Sequence, residues 1–181
     1  MNNQGTSAKR EHGMVTGLFR DRQDSENAYR ALRDRGYTDD EINIIMSDAT
    51  RKKYYGTNTS DLGFGTKALE GTGVGGAVGV TLGAVVGGIA AIGTNVLVPG
   101  VGLVIAGPIV AALAGAGAGA VTGGLVGALI GWGIPEERAK IYEDGIREGG
   151  TILGVTPRSP EDAAYFEDEW KNRYRGEYIY R

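Results

Sequence analysis

The chain has 181 residues and a formal net charge of −3, enough for one ordinary domain plus an inserted segment but without the clustered Lys and Arg that nucleic-acid binding requires. It has no Cys and a single histidine, His12, which excludes a disulfide framework, a thiolate nucleophile and a multi-histidine metal site. We therefore predict a protein that is not an enzyme, with no catalytic residues, no metal, no cofactor and no evident small-molecule substrate.

Residues 1–13 are polar and lack the apolar core of a secretory signal, and we predict a disordered N-terminal tail. Residues 14–48 then show a short apolar strand, an amphipathic helix and a second apolar strand, which is a β-α-β unit. We expect Asp24 or Ser25 to cap the helix N-terminus, and Gly36 to end the helix in a left-handed conformation. The second strand, INIIM, should be central in a sheet because one of its faces is fully apolar.

Residues 49–70 are polar and show no sustained period, so we predict a linker with one short helix near 66–70. The linker carries Arg51, Lys52 and Lys53 followed by two tyrosines, which is typical of segments that lie on an anionic membrane surface. We predict these three as membrane-interface residues, although a solvated loop would have the same composition.

A central segment, residues 71–134, contains no charged side chain and is the strongest signal in the sequence. It is about three times as long as the run that indicates a transmembrane helix. The Pro-Gly pair at 99–100 would break a continuous helix and leave arms at 72–93 and 101–133, each able to cross about 30 Å of hydrocarbon. We predict a helical hairpin whose second arm is bent, or starts late, at the Gly-Pro pair 107–108.

Glycine recurs at every fourth residue in both arms. Residues four apart share one helix face, and a face without side chains lets another backbone approach closely. Each glycine destabilises a water-exposed helix by up to about 1 kcal/mol relative to alanine, so lipid or other copies of the chain should exclude water. The predicted helix-packing residues are Gly71, Gly75, Gly79, Gly83, Gly87, Gly115, Gly119, Gly123, Gly127 and Gly131.

The other side of the second arm carries Val121, Leu125, Leu129 and Ile130, which suit lipid or other apolar helices. Trp132, at the end of this arm, is predicted as a further membrane-interface residue because aromatic side chains gather where a membrane meets water. It would also suit packing between the hairpin and the domain.

Residues 135–175 return to a charged pattern, in which a helix that ends at a Gly-Gly pair precedes the strand TILGV. A capped helix follows, with an apolar stripe that ends in Trp170 and Tyr174. Residues 176–181 form an aromatic and basic C-terminal tail.

Neither charged half of the sequence has enough apolar residues for a core of its own. Together the halves predict a three-stranded sheet covered by helices, which requires the ends of the central segment to return close to each other. The predicted fold class is α+β: a small split β-α-β/α-β-α domain with a long inserted glycine-zipper helical hairpin.

The stretch VTGLFRDRQDSENAYRALRDRGYTDDEINIIM and the block that ends in GGLVGALIGWGIPEERAKIYEDGIREGGTILGV are similar to bacterial low-temperature-induced proteins of the general stress protein 17M-like family. The similarity extends from residue 14 to about residue 155, and its most specific part is GIPEERAKIYEDGIREGG, residues 133–150. The resemblance implies a bacterial stress-associated protein with no catalytic residues to transfer.

Two other patterns have simpler explanations. The GxGxxG spacing of Gly71, Gly73 and Gly76 lacks the preceding strand and the following acidic residue of a dinucleotide site, so the zipper explains it better. The acidic triplets 39–41 and 167–169 should be solvated, beside a strand and on the outer side of a helix, rather than bind metal or act in acid–base chemistry.

The sequence therefore predicts a non-enzymatic stress-associated protein whose hairpin inserts into a membrane and homo-oligomerises, stabilising or remodelling the bilayer. Its expected partners are itself and a lipid bilayer. We expect a bacterial inner or other internal membrane with the charged domain facing the cytoplasm, because Lys and Arg flank the hydrophobic block. One alternative is a cytoplasmic particle or filament in which hairpins of many copies bury one another without lipid. Another is a hairpin buried within a single globular domain, for which the charged halves look too small.

Overall fold

The computed structural model describes residues 14–55, 96–98, 102–110, 118–131 and 133–181. It shows helices packed on an antiparallel sheet, and the predicted α+β class is confirmed. The strands are β1 (Val15–Phe19), β2 (Ile42–Ser47), β3 (Val96–Val98), β4 (Leu103–Ala106), β5 (Thr151–Val155) and β6 (Glu177–Tyr180). The helices are α1 (Arg22–Asp34), α2 (Asp48–Tyr55), α3 (Ala118–Gly131), α4 (Glu136–Arg147) and α5 (Pro160–Asp168).

The described strands form one six-stranded sheet, not the predicted three-stranded one, in the order β3-β4-β2-β5-β1-β6; β1, β2, β5 and β6 come from the two charged halves, and β3 and β4 from the central segment. β5, from the second half, lies between β1 and β2 from the first half and pairs antiparallel with both. Leu153 of β5 is opposite Gly17 on one side and Ile44 on the other. The predicted central position of β2 is confirmed, because β4 pairs with its other side.

Both faces of the sheet are apolar, and helices cover each of them. Alternation along β2 sends Ile44 to one face and Ile45 to the other. The first face packs against α1 and α5, through residues that include Ala28, Leu32, Ala163 and Phe166. The second face packs against α3 and α4, through residues that include Leu125, Leu129, Tyr142 and Ile146. The domain therefore has three layers, and the glycine-rich segment supplies α3, one of the two helices in one of them.

Helix α1 begins earlier than predicted. Asp21, rather than Asp24 or Ser25, is its N-cap, and the Asp21 side chain accepts from the backbone N–H of Gln23 at 2.8 Å. All three candidates are good capping residues, and the apolar period starts too late to distinguish between them. The predicted glycine at the other end is confirmed: Gly36 has φ 85°.

The central segment departs from a helical hairpin in the part that the structure describes. β4 pairs with β2, from Ile44 opposite Ala106 to Ser47 opposite Leu103, and β3 pairs with β4. A helical second arm over 101–133 is therefore wrong at its beginning. The apolar run of β4 is short and ends at a glycine, and the open edge of β2 provides hydrogen-bond partners for it. The Gly-Pro pair 107–108 does delay the helix, whose first turn begins at Ile109.

Two further boundaries differ from the sequence expectation. The linker predicted from residue 49 begins with helix α2, in which Asp48 in the first turn and basic residues in the last turn suit the helix dipole. The tail predicted at 176–181 contains β6, which pairs antiparallel with β1. Both elements form on contacts with distant parts of the chain, which local periodicity does not report.

Candidate functional site

The three basic residues predicted at a membrane interface lie on α2, directly after β2. Arg51 Nη2 and Lys52 Nζ lie 2.9 and 2.6 Å from carboxylate oxygens of Asp48, one turn earlier. These contacts, first with Lys52 and then with Arg51, lower the pKa of Asp48. Lys53 Nζ lies 4.7 Å from the centroid of the Tyr54 ring, a cation–π geometry. The cluster is helical, and Asp48 offsets part of its charge.

The end of α2 is docked on the first turns of α1. The Arg22 guanidinium carbon lies 5.3 Å from the Tyr55 ring centroid and 5.8 Å from that of Tyr54. Arg22 Nε also donates to Glu26 Oε1 at 2.5 Å, and the Glu26 side chain is only 6% exposed. Burial raises the pKa of Tyr55 to about 12. These contacts hold the end of α2, at Tyr55, against α1.

Asn43, buried in β2, fixes the point at which the chain turns away from the sheet after β4. Its Oδ1 accepts from the backbone N–H of Ile109 at 2.8 Å, and its Nδ2 donates to the Gly154 carbonyl at 3.3 Å. Gly107, in the turn, has φ 101°, and a Cβ there would lie 2.9 Å from Asn43 Cα. Both the conformation and the close approach require glycine at 107.

Helix α3 has one side in the domain core and another side exposed. Leu125 and Leu129 are 2% and 0% exposed and belong to the cluster on the second face of the sheet. At these two positions the side expected to face lipid or other helices packs on the domain itself. By contrast, Ile130 is 42% exposed, and a Cβ on Gly131 would meet no atom of the described residues within 4 Å.

Helix α3 is also kinked within its zipper. Gly124 has φ 59° and ψ −150°, which is outside the helical region. The kink separates Gly119 and Gly123 from Gly127 and Gly131, so the four predicted packing glycines do not lie along one straight face. Glycine adopts the left-handed region at little steric cost, and the Gly-Gly pair at 123–124 is therefore a natural place for a kink.

The other predicted residues lie outside the described part of the chain: Gly71, Gly75, Gly79, Gly83, Gly87, Gly115 and Trp132. Within the described ranges, none of the helices is both long enough and apolar enough to span a membrane. Among the side chains described, no group of three or more His, Asp or Glu is placed to hold a metal ion. Residues of the acidic triplet 39–41 form ion pairs instead: Asp39 pairs with Arg33, and Glu41 with Arg158.

Sequence reasoning assigned no role to Arg22 and Glu26, which hold the end of α2, or to Asn43, which holds the turn after β4. One local signal was present, since a lone Asn in an otherwise apolar strand needs buried hydrogen-bond partners. The comparisons with known proteins found no family model, no curated protein and no solved structure that matches this chain.

Proposed function

We propose that this protein is a non-enzymatic, stress-associated assembly protein that homo-oligomerises through its glycine-zipper segment in or on a membrane, stabilising or remodelling the bilayer. The observation that carries the proposal is the charge-free run 71–134 with glycine at every fourth residue. The stress association rests on the resemblance of the sequence to the 17M-like family.

The attachment of the segment to the domain supports a role in assembly. Residues 56–95 carry the whole first zipper and join α2 to β3, two elements of the same domain. The backbone N–H of Asp48, where α2 begins, donates to the Gly102 carbonyl in the turn between β3 and β4 at 2.7 Å. Association of this segment between copies would therefore bring their charged domains together on the same side.

Because residues 56–95 are joined to the domain at both ends, the ways in which they can insert into a bilayer are limited. Two crossings that return to the domain need about 40 apolar residues. Only residues 71–95 of this excursion are free of charge, because Asp61, Lys67 and Glu70 precede them. We therefore propose that the segment enters the membrane from one side without crossing it. The domain would lie on the cytoplasmic side of a bacterial inner or other internal membrane, next to the basic residues of α2.

A second candidate is a lipid-free particle or filament in which glycine-rich segments of many copies bury one another. The burial of Leu125 and Leu129 in the domain favours it, since α3 could not move into lipid without exposing the second face of the sheet. The exposed Ile130 and the open space at Gly131 are available for contact between copies.

Fractionation of cells that express the full-length chain separates the two candidates. Flotation with membranes, and release only by detergent, would support membrane association. Large particles in the cytosol without detergent would contradict it and support the lipid-free assembly.

A matched pair of variants then tests whether the zipper face is the contact. Gly79→Leu adds a side chain on that face, and Ala77→Leu adds nearly the same volume about 200° away around an ideal helix. We expect Gly79→Leu to reduce the oligomer size measured by light scattering and Ala77→Leu to leave it unchanged. Equal sizes for both variants and the wild type would show that the zipper face does not form the contact.

A further inference from the structure

An open groove of about 360 Å³ lies between α1 and the π-helical turn Glu169–Arg173 that follows α5. It is lined by Asn27, Arg30, Ala31, Asp34, Arg173 and Tyr174. These residues all belong to the charged halves of the sequence, so the groove is distinct from the glycine-rich segment. Its volume is within the range of small-molecule sites.

The π-helical turn forms one wall of the groove. The backbone N–H of Tyr174 donates to the Glu169 carbonyl, five residues earlier, at 3.0 Å. In a regular α-helix Tyr174 would continue the buried stripe of Trp170, as the sequence spacing predicts. Trp170 is fully buried, and Tyr174 is half-buried, packs at the edge of the same core cluster and lines the groove together with Arg173. π-Helical turns are rare in proteins, and those that occur are often found at functional sites.

The chain after this turn is held against α1 by an ion pair. Arg175 has φ 49°, which is uncommon for a residue other than glycine, and its Nε donates to Asp24 Oδ2 at 2.9 Å. Asp24 lies one helical turn before Asn27 on α1. The pair therefore ties together the two elements that form the walls of the groove.

Two guanidinium groups line the groove from opposite walls. Arg30 Nη1 donates to Asn27 Oδ1 at 3.2 Å, and Arg173 Nη1 lies 3.3 Å from Glu169 Oε2. Each guanidinium has five N–H donors in a planar fork, so these contacts occupy only part of its capacity. The fork geometry matches the oxygens of a phosphate group. Asp34 adds a carboxylate that accepts hydrogen bonds from hydroxyl groups.

We propose that this groove binds a phosphate group that carries neighbouring hydroxyl groups. Arg30 and Arg173 bind the phosphate, Asp34 binds the hydroxyls, and the Tyr174 ring packs on the carbon skeleton. A soluble phosphorylated sugar and the headgroup of phosphatidylglycerol share this chemistry. Because the groove is open and polar, we expect a dissociation constant on the order of 0.1–10 mM for the soluble ligand.

Titration calorimetry on the full-length chain tests the soluble source, with glucose 6-phosphate, inorganic phosphate and glucose as probes. Flotation with vesicles of phosphatidylglycerol, compared with phosphatidylcholine, tests the lipid source. The variants are Arg30→Gln and Arg173→Gln, with Arg147→Gln as the matched control. Arg147 pairs with Glu143 four residues earlier and is 70% exposed, as Arg173 pairs with Glu169 and is 68% exposed.

We expect glucose 6-phosphate to bind at least about tenfold more weakly to each groove variant, and Arg147→Gln to bind like the wild type. Binding of glucose 6-phosphate but not glucose would support the proposal with a soluble ligand. Loss of flotation on phosphatidylglycerol in the groove variants alone would support it with the lipid headgroup. If the protein binds neither glucose 6-phosphate nor phosphatidylglycerol vesicles, or if all three substitutions have equal effects, the proposal is overturned. The calorimetric result does not depend on whether the protein assembles in a membrane.

Discussion

Replacing Leu129 by alanine tests whether the glycine-rich helix α3 is part of the folded domain. Leu129 is 0% exposed and packs in the cluster between the sheet and α4. If α3 were a lipid-facing arm, unfolding of the domain would not depend on this side chain. If α3 forms the third layer, the substitution removes buried apolar volume from the core.

The size of the expected effect follows from this burial. The substitution removes three carbon atoms, which at about 0.8 kcal/mol per buried methylene gives roughly 2.4 kcal/mol. The cavity left behind adds to this, and buried Leu→Ala substitutions cost about 2–5 kcal/mol in all. The adjacent Ile130 is 42% exposed, so Ile130→Ala should cost less than about 1 kcal/mol.

Urea unfolding measured by tryptophan fluorescence provides the comparison. The chain has two tryptophans, and a Trp132→Phe background leaves the fully buried Trp170 as the reporter of the domain core. We expect the midpoint for Leu129→Ala to fall well below that of Ile130→Ala at an unchanged slope. Equal midpoints for the two variants would refute the assignment of α3 to the core.

Three further predictions concern other contacts of the domain. Gly145→Ala should destabilise it by about 1–3 kcal/mol in urea, because a Cβ there would lie 2.8 Å from Leu18 Cδ1; the same change should cost less in a Leu18→Ala background, where that contact is absent. Asn43→Ala should cost about 1–3 kcal/mol in the same assay, since the buried backbone N–H and carbonyl that it pairs with lose their partner. Hydrogen bonds, chiefly from Arg158, lower the pKa of Glu41 to about 2, so this carboxylate stabilises the fold above about pH 4.5 and the contribution disappears as the pH falls toward 2. In Glu41→Gln, thermal stability should fall less than in the wild type between about pH 4.5 and pH 2. The difference should be no more than about 1 kcal/mol because the ion pair is partly exposed.

The elements that sequence reasoning predicted correctly carry their own boundary signals. β5 is the run TILGV between a Gly-Gly pair and a proline, and α5 is capped by Ser159, whose Oγ accepts from the backbone N–H of Asp162 at 3.1 Å. A short apolar run with sharp stops has few other structures available to it. Once these elements are known, combining the two charged halves into one sheet follows from the need to bury both sets of apolar residues.

The elements that sequence reasoning missed depend on partners far away in the chain. β4 forms because β2 has an open edge, and β6 forms because β1 does; Tyr142 Oη donates to the Tyr178 carbonyl of β6 at 2.8 Å. Hydropathy does not distinguish a buried strand or a core helix from a membrane segment, because all of them are apolar. The contact that holds the end of α2 was missed because Arg22 meets Tyr55 only when α2 folds back on α1.

Membrane insertion was predicted because glycine-rich helices need lipid or other copies of the chain to exclude water. For α3, the core of the domain excludes water instead. The four glycines of α3 outside the kink cost up to about 4 kcal/mol relative to alanine. Burial of Leu125 and Leu129 against the domain contributes about 1.5–3 kcal/mol for each side chain, which is of the same size. Burial against the domain core therefore offsets most of the free-energy cost of the glycines in α3, whether or not a membrane is present. The requirement for lipid or for further copies of the chain now rests on the first zipper, residues 71–87, and experiments on assembly should target that segment.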